Sequence, residues 1–182
     1  MNTSTLTAIA AAVGVAFCAT AMASTMPKEE YKAAKKSIGA DYKSAKAGCG
    51  PLQANAKDIC LAQAKGKEKV ALAEAEYNYT GKPADANKVA EAKADASYAV
   101  AKEMCDDKGG NAKDVCMTEA KSAHTKALAD AKMDKKVGEA RKDAADDKRD
   151  ADYKIATEKC DSLAGDAKSA CISAAKSKYG KS

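Results

Sequence analysis

The chain has 182 residues, with 31 Lys and Arg against 26 Asp and Glu, for a formal net charge of +5. It has no Trp, one Phe and one His, and Ala dominates its apolar residues. Methyl groups bury little area at roughly 25 cal/mol per Å², so this composition excludes a large aromatic core and predicts a need for covalent staples. Lys alternates with Asp and Glu along most of the chain, which is the pattern of a solvated coat and argues against a nucleic-acid partner.

The first predicted element is a secretory signal over residues 1–23. Leu6 to Cys18 form an apolar run of about 13 residues, followed by Ala21-Met22-Ala23, a small-x-small cleavage sequence that places the cut before Ser24. Met1 to Thr5 hold no Lys or Arg, an atypical feature for such a leader. The run is shorter than the ~20 residues a membrane span needs, and no second candidate follows. A lipoprotein reading through Cys18 is disfavoured by the bulky Phe17 beside it. With the leader removed, six of the seven cysteines remain. An even set at regular spacing in an oxidising compartment reads as a disulfide framework.

Over the remaining 24–182 the sequence repeats with a period of about 55, giving units near 28–80, 84–137 and 138–182. Tyr42, Tyr98 and Tyr153 each stand seven residues before Cys49, Cys105 and Cys160, and Cys60, Cys116 and Cys171 each follow eleven residues later. Before the second cysteine of each pair comes a shared block that opens on Asn55, Asn111 or Asp166, residues that favour helix N-caps. Asp58 and Asp114, with Ser169 as the weaker variant, lie three positions on and are expected to complement the helix dipole. Gly50-Pro51, Gly109-Gly110 and Gly165 precede these caps and are expected to end the helix before. Each unit reads helix, short turn, helix.

The turn decides how the cysteines pair. On one continuous helix, residues eleven apart lie about 16 Å apart, beyond the ~7 Å Cα separation a disulfide spans. A reversal between them permits Cys49 with Cys60, Cys105 with Cys116, and Cys160 with Cys171, although six cysteines also allow bonds between units. Closing such a loop contributes roughly 3 kcal/mol in the chain-entropy model.

Along the first helix, Tyr31, Ala34, Ile38, Tyr42, Ala45 and Cys49 recur at steps of 3 and 4. Ile59, Ala62, Gly66, Val70, Ala73 and Tyr77 do so along the second. Both are predicted as amphipathic helices with narrow apolar stripes, the tyrosines packing near the turns with their hydroxyls toward solvent. Gly81-Lys82-Pro83 predicts a turn. Between Asn111 and Cys160 only Gly138 interrupts, so this span is either one very long helix or two joined near Gly138. In the latter case all cysteine turns share one end. The almost wholly charged segment Glu139 to Asp152 is expected to stand in solvent. The fold class is therefore all-α: three disulfide-stapled antiparallel hairpins, five or six helices, in an elongated repeat or bundle.

Catalytic parts are scarce. His124 is the single histidine, and no Cys-x-x-Cys, phosphate loop or zinc spacing is present. The reading is of a protein with no catalytic, cofactor or metal residues. Thiol-based Cu(I) binding is a weaker alternative, since Met104 and Met117 flank only the second cysteine pair. The Ala/Lys/Asp/Glu helices and the Asn-Ala-Lys-Asp-x-Cys blocks at Asn55 and Asn111 resemble small Ala/Lys-rich secreted proteins of proteobacteria, often described as TolA-like or envelope-biogenesis proteins. Independently of that resemblance, the export signal, the stapled hairpins, the charged surface and the lack of a catalytic set predict a periplasmic, or extracellular, interaction or structural protein of the cell envelope. The expected partner is a protein or an anionic envelope polymer, with homo-oligomerisation through Ala-rich helix faces as a further expectation. A chaperone-like or small-ligand role in apolar grooves between hairpins is the alternative.

Overall fold

A computed structural model describes residues 25–181. The expected signal peptide, its cleavage site and Cys18 lie outside these residues. Five helices follow in order among the described residues: α1 (Lys28–Gly48), α2 (Ala54–Thr80), α3 (Pro83–Asp106), α4 (Gly110–Cys160) and α5 (Gly165–Tyr179). Each helix packs only against its neighbours in sequence. The first four therefore form one antiparallel layer of helices, not a closed bundle.

Three disulfides join Cys49 to Cys60, Cys105 to Cys116 and Cys160 to Cys171, with Cα separations of 5.7, 5.6 and 5.7 Å. The first cysteine of each pair is fully buried at the end of its helix, and these are the most deeply buried side chains among the described residues. The three turns share one geometry. The amide three residues after the first cysteine donates to that cysteine's carbonyl: Leu52 to Cys49 at 3.2 Å, Lys108 to Cys105 at 3.0 Å, and Leu163 to Cys160 at 3.0 Å. Two residues later the backbone swings into the left-handed region, at Ala54 (φ 47°), Gly110 (φ 51°) and Gly165 (φ 53°), and the next helix begins.

This geometry corrects two expectations about the turns. Asn55, Asn111 and Asp166 are not N-caps but second residues of their helices. The cap positions are Gln53, Gly109 and Ala164, in extended backbone and without side-chain capping bonds. Gly110 and Gly165 open the following helix instead of closing the preceding one, because the left-handed step comes at the entry and a glycine makes it without a Cβ clash. Asp58 and Asp114 consequently sit at the fifth helical residue, beyond the first turn where a carboxylate feels the dipole most.

Between α2 and α3, the Gly81-Lys82-Pro83 turn forms as the sequence indicates. Gly81 closes α2 in the left-handed region (φ 62°) and Pro83 occupies the first turn of α3. Asp85, only 5 % exposed, organises the turn. Thr80 donates its hydroxyl to the Asp85 carboxylate at 2.6 Å, Lys88 pairs with it at 2.8 Å, and the Lys82 amide donates to the Thr80 oxygen at 3.2 Å. The hydrogen bonds from Lys88 and Thr80 hold the Asp85 carboxyl below its ordinary pKa of 3.8.

Helix α4 resolves the question at Gly138: it is a single helix of 51 residues, about 77 Å long at 1.5 Å per residue. The sequence boundary between units at 137 and 138 falls inside it. One glycine lowers helix stability by about 1 kcal/mol, which a long helix tolerates. Continuity also fixes where the turns lie: the first two disulfide turns share one end of the four-helix layer, and the third sits at the far end of α4. Between Ala131, the last buried residue of α4 before Cys160, and the segment covered by α5, residues 132–145 are exposed on every face. The charged stretch thus stands in solvent, supported in part by the i,i+4 pair of Lys142 and Asp146, with Arg149 on the same carboxylate.

Candidate interaction surface

Because α2 lies between α1 and α3, it has two packed faces where the spacing had suggested one stripe. Ala64 and Ala75, both buried, belong to the side toward α1, where Ala64, Glu68 and Ala71 border a groove with Ile38, Tyr42 and Ala45. Gly66 belongs to the opposite side, toward α3. A Cβ on Gly66 would stand 2.8 Å from the Ala96 Cβ, so the missing side chain sets how closely α2 and α3 approach. Of the stripe read from sequence, Gly66 is buried, Ile59, Ala62, Val70 and Ala73 are half-buried, and Tyr77 is exposed.

Above the Gly66 contact lies the principal concavity, an open groove of about 580 Å³ between α2 and α3. Val70, Ala71, Val100, Ala101 and Met104 form its apolar walls, and Gln63, Lys67, Glu74 and Lys93 border it, with Lys93 and Glu74 paired at 2.8 Å. Lys67 and Ala71 are shared with the α1/α2 groove. Ser97 and Ala101 are shared with a third groove between α3 and α4, lined by Ala120, Ala123 and Ala127. The three grooves therefore open on the same face of the layer and join into one corrugated, Ala-rich surface. Met104, 55 % exposed, is its largest exposed apolar side chain.

The repeated tyrosines serve the hairpins. Tyr98 stacks on His124 with centroids 4.7 Å apart, and the His124 Nε2 meets an Asp95 carboxylate oxygen at 2.7 Å. Tyr153 meets Tyr179 edge-on at 6.3 Å. In the first hairpin, Lys65 lies over the Tyr42 ring at 4.9 Å and pairs with Glu68 at 2.7 Å. Glu68, His124 and Tyr179 each stand eight residues after the second cysteine of their pair, so one position of the second helix faces the tyrosine of the first. That spacing is present in the sequence and accounts for His124. Tyr31 adds a further rung, stacking on Tyr79 at 4.6 Å and donating its hydroxyl to Glu76. Accepting that bond, Glu76 raises the Tyr31 pKa, and burial adds to the effect.

No group of three or more metal-ligating side chains converges among the described residues, and no helix there is long and apolar enough to cross a membrane. The six described cysteines form three separate pairs, at the α1/α2, α3/α4 and α4/α5 turns, and do not converge on a common site. Asn55 has a role that its sequence context did not signal: its side-chain amide donates to the Glu103 carbonyl at 2.6 Å, tying the start of α2 to the end of α3. No family model, curated protein or solved structure matches the chain.

Proposed function

We propose that this is a non-catalytic interaction protein of the cell envelope, exported to the periplasm, which engages its partner through the grooved face of the α1–α4 layer. The observation that carries the reading is the run of joined grooves on that face, with Val70, Val100 and Met104 at its apolar centre, left uncovered because no described helix packs across the layer. A layer of helices ordinarily buries such a face against another element. Export fits the three disulfides, which persist in oxidising compartments, and the resemblance to TolA-like envelope proteins belongs to the same reading. The mild Lys excess favours a partner with anionic character.

Photocrosslinking tests it. A crosslinker at Met104 in the groove is expected to trap a discrete adduct in the envelope, one lost in Val70→Glu/Val100→Glu, while a crosslinker at Lys148 on the far half of α4 traps none. Equal labelling from both positions would refute a dedicated face. A second reading, binding of a small apolar ligand or an unfolded chain, is favoured by the volume of the α2/α3 groove, which falls in the range of ~300–1,000 Å³ typical of ligand sites. Suppression of client aggregation below a 1:1 ratio, abolished by the same double substitution, would select it.

A further inference from the structure

The three disulfides close similar turns but hold helices of very different independence. Helix α5 has 15 residues and packs on α4 alone. An isolated helix of that length is marginal in water, and Ala175 is its only buried residue. At the end away from its disulfide, α5 is held by the edge contact of Tyr179 with Tyr153 and by the surface pair of Lys181 with Asp150. Helix α1 also has one neighbour, but it is longer, at 21 residues. Its far end is fastened by the Tyr31/Tyr79 stack, the bond from Tyr31 to Glu76, and the Met26 amide donating to the Asn78 carbonyl at 2.8 Å. The helices joined by the second disulfide, α3 and α4, pack along most of α3, and α3 is further held by α2.

Access alone does not rank the three bonds, since Cys60, Cys116 and Cys171 are all partly exposed. Both Cys160 and Cys171 border an open cleft of about 520 Å³ between α4 and α5; Lys159 borders it beside Cys160, while Lys178 and Asp152 border it toward the Tyr179 end. The ammonium of Lys159, next to Cys160 in the chain, favours a thiolate over a thiol there and so assists its departure.

From this we infer that Cys160–Cys171 is a thiol–disulfide exchange site for a dithiol reductant, and that its opening releases α5 while the four-helix layer stays folded. A thiolate of the reductant attacks the Cys171 sulfur and forms a mixed disulfide. The Cys160–Cys171 bond breaks and its electron pair leaves on Cys160, whose thiolate then takes a proton from water. The reductant's second thiolate attacks its own sulfur in the mixed disulfide and expels the Cys171 thiolate, which is protonated in turn. The reductant ends as a disulfide, and the protein has gained two electrons and two protons as two thiols. Loss of the staple uncovers the Tyr153 and Ala156 side of α4.

The test is a graded dithiothreitol titration of the full chain, with free thiols trapped by an alkylating reagent and located by peptide mass mapping. Cys160 and Cys171 are expected to be labelled at a reductant concentration about tenfold below that needed for the other pairs. At that point amide exchange rises across 165–179 and stays unchanged across 83–106. Simultaneous labelling of all six cysteines, or earlier labelling of either other pair, overturns the inference. Lys159→Gln is expected to slow reduction of this pair severalfold and leave the other two rates unchanged; an unaltered rate would overturn the part assigned to its charge.

Discussion

Replacing Ala54 by glycine should stabilise the protein, although the substitution removes a methyl group from a chain built on methyl groups. Ala54 is the one non-glycine residue with positive φ among the described residues, and its counterparts in the other two turns are Gly110 and Gly165. The left-handed conformation costs an L-residue with a Cβ roughly 1–2 kcal/mol. Glycine relieves that strain but adds about 0.4–1 kcal/mol of unfolded-chain entropy, leaving a net gain of about 0.5–1 kcal/mol. At ~2–4 °C per kcal/mol for a chain of this size, Ala54→Gly should raise Tm by about 1–4 °C. The reverse substitutions, Gly110→Ala and Gly165→Ala, should each lower stability by a similar amount. A Cβ at either glycine meets nothing within 4 Å, so backbone conformation is the only quantity changed. Urea and thermal unfolding of the oxidised proteins, followed by circular dichroism, read all three. A lower Tm for Ala54→Gly, or no loss in the two alanine variants, would refute the account of the turn.

Gly66→Ala would gain up to ~1 kcal/mol of helix propensity but places a Cβ 2.8 Å from that of Ala96. Overpacking of about 1–3 kcal/mol should prevail, and Gly66→Ala/Ala96→Gly should recover part of the loss in denaturant titrations. Gly138→Ala, with open space around the new methyl group, should raise helicity and slow amide exchange across 132–145, adding about 1 kcal/mol locally. The lowered Asp85 pKa makes a stabilising contribution that is present above the ordinary value of 3.8 and lost as pH falls through the depressed folded value. Asp85→Asn should therefore flatten the acid limb of a stability-versus-pH curve. For Tyr31, raised above 10.0, the contribution is present below that pH and lost as pH rises through the higher folded value; Tyr31→Phe should remove this alkaline step, read by urea unfolding.

The sequence shows the hairpins plainly because their determinants are local. The eleven-residue step between Cys105 and Cys116 demands a reversal, and Gly81-Lys82-Pro83 carries its own stop and start. The exposed charged stretch of α4 is equally legible, since a segment with no apolar face has nothing to bury. Legibility fails where two readings share the same residues. Gly109-Gly110 looks like a helix stop, and only the backbone angles show that Gly110 performs a left-handed entry. Asn111 then looks like a cap, although Gly109 has already taken that place. A groove between hairpins is expected from the sequence, but the close approach of α2 and α3 beneath it is hidden for another reason: it depends on Gly66 meeting Ala96, residues thirty positions apart that carry no local signal.

Thin Ala packing and the disulfide turns are linked by what each leaves undone. Small side chains allow α2 and α3 to approach closely at Gly66, but they bury too little area to pull the layer shut. The grooved face stays open, and hairpin order depends on the turns. In the four-helix layer that dependence is shared, because α2 and α3 each have neighbours on both sides. Beyond Ala131 it is not shared: α4 runs bare through residue 145, and α5 meets nothing except α4 and its own disulfide. A staple of the same chemistry is therefore reinforcement in the first two hairpins and a condition of folding in the third. The comparison that isolates this difference is Cys105→Ser/Cys116→Ser against Cys160→Ser/Cys171→Ser. The first should lower the unfolding midpoint with α3 still protected from amide exchange; the second should leave the midpoint of the layer nearly unchanged while α5 loses its protection.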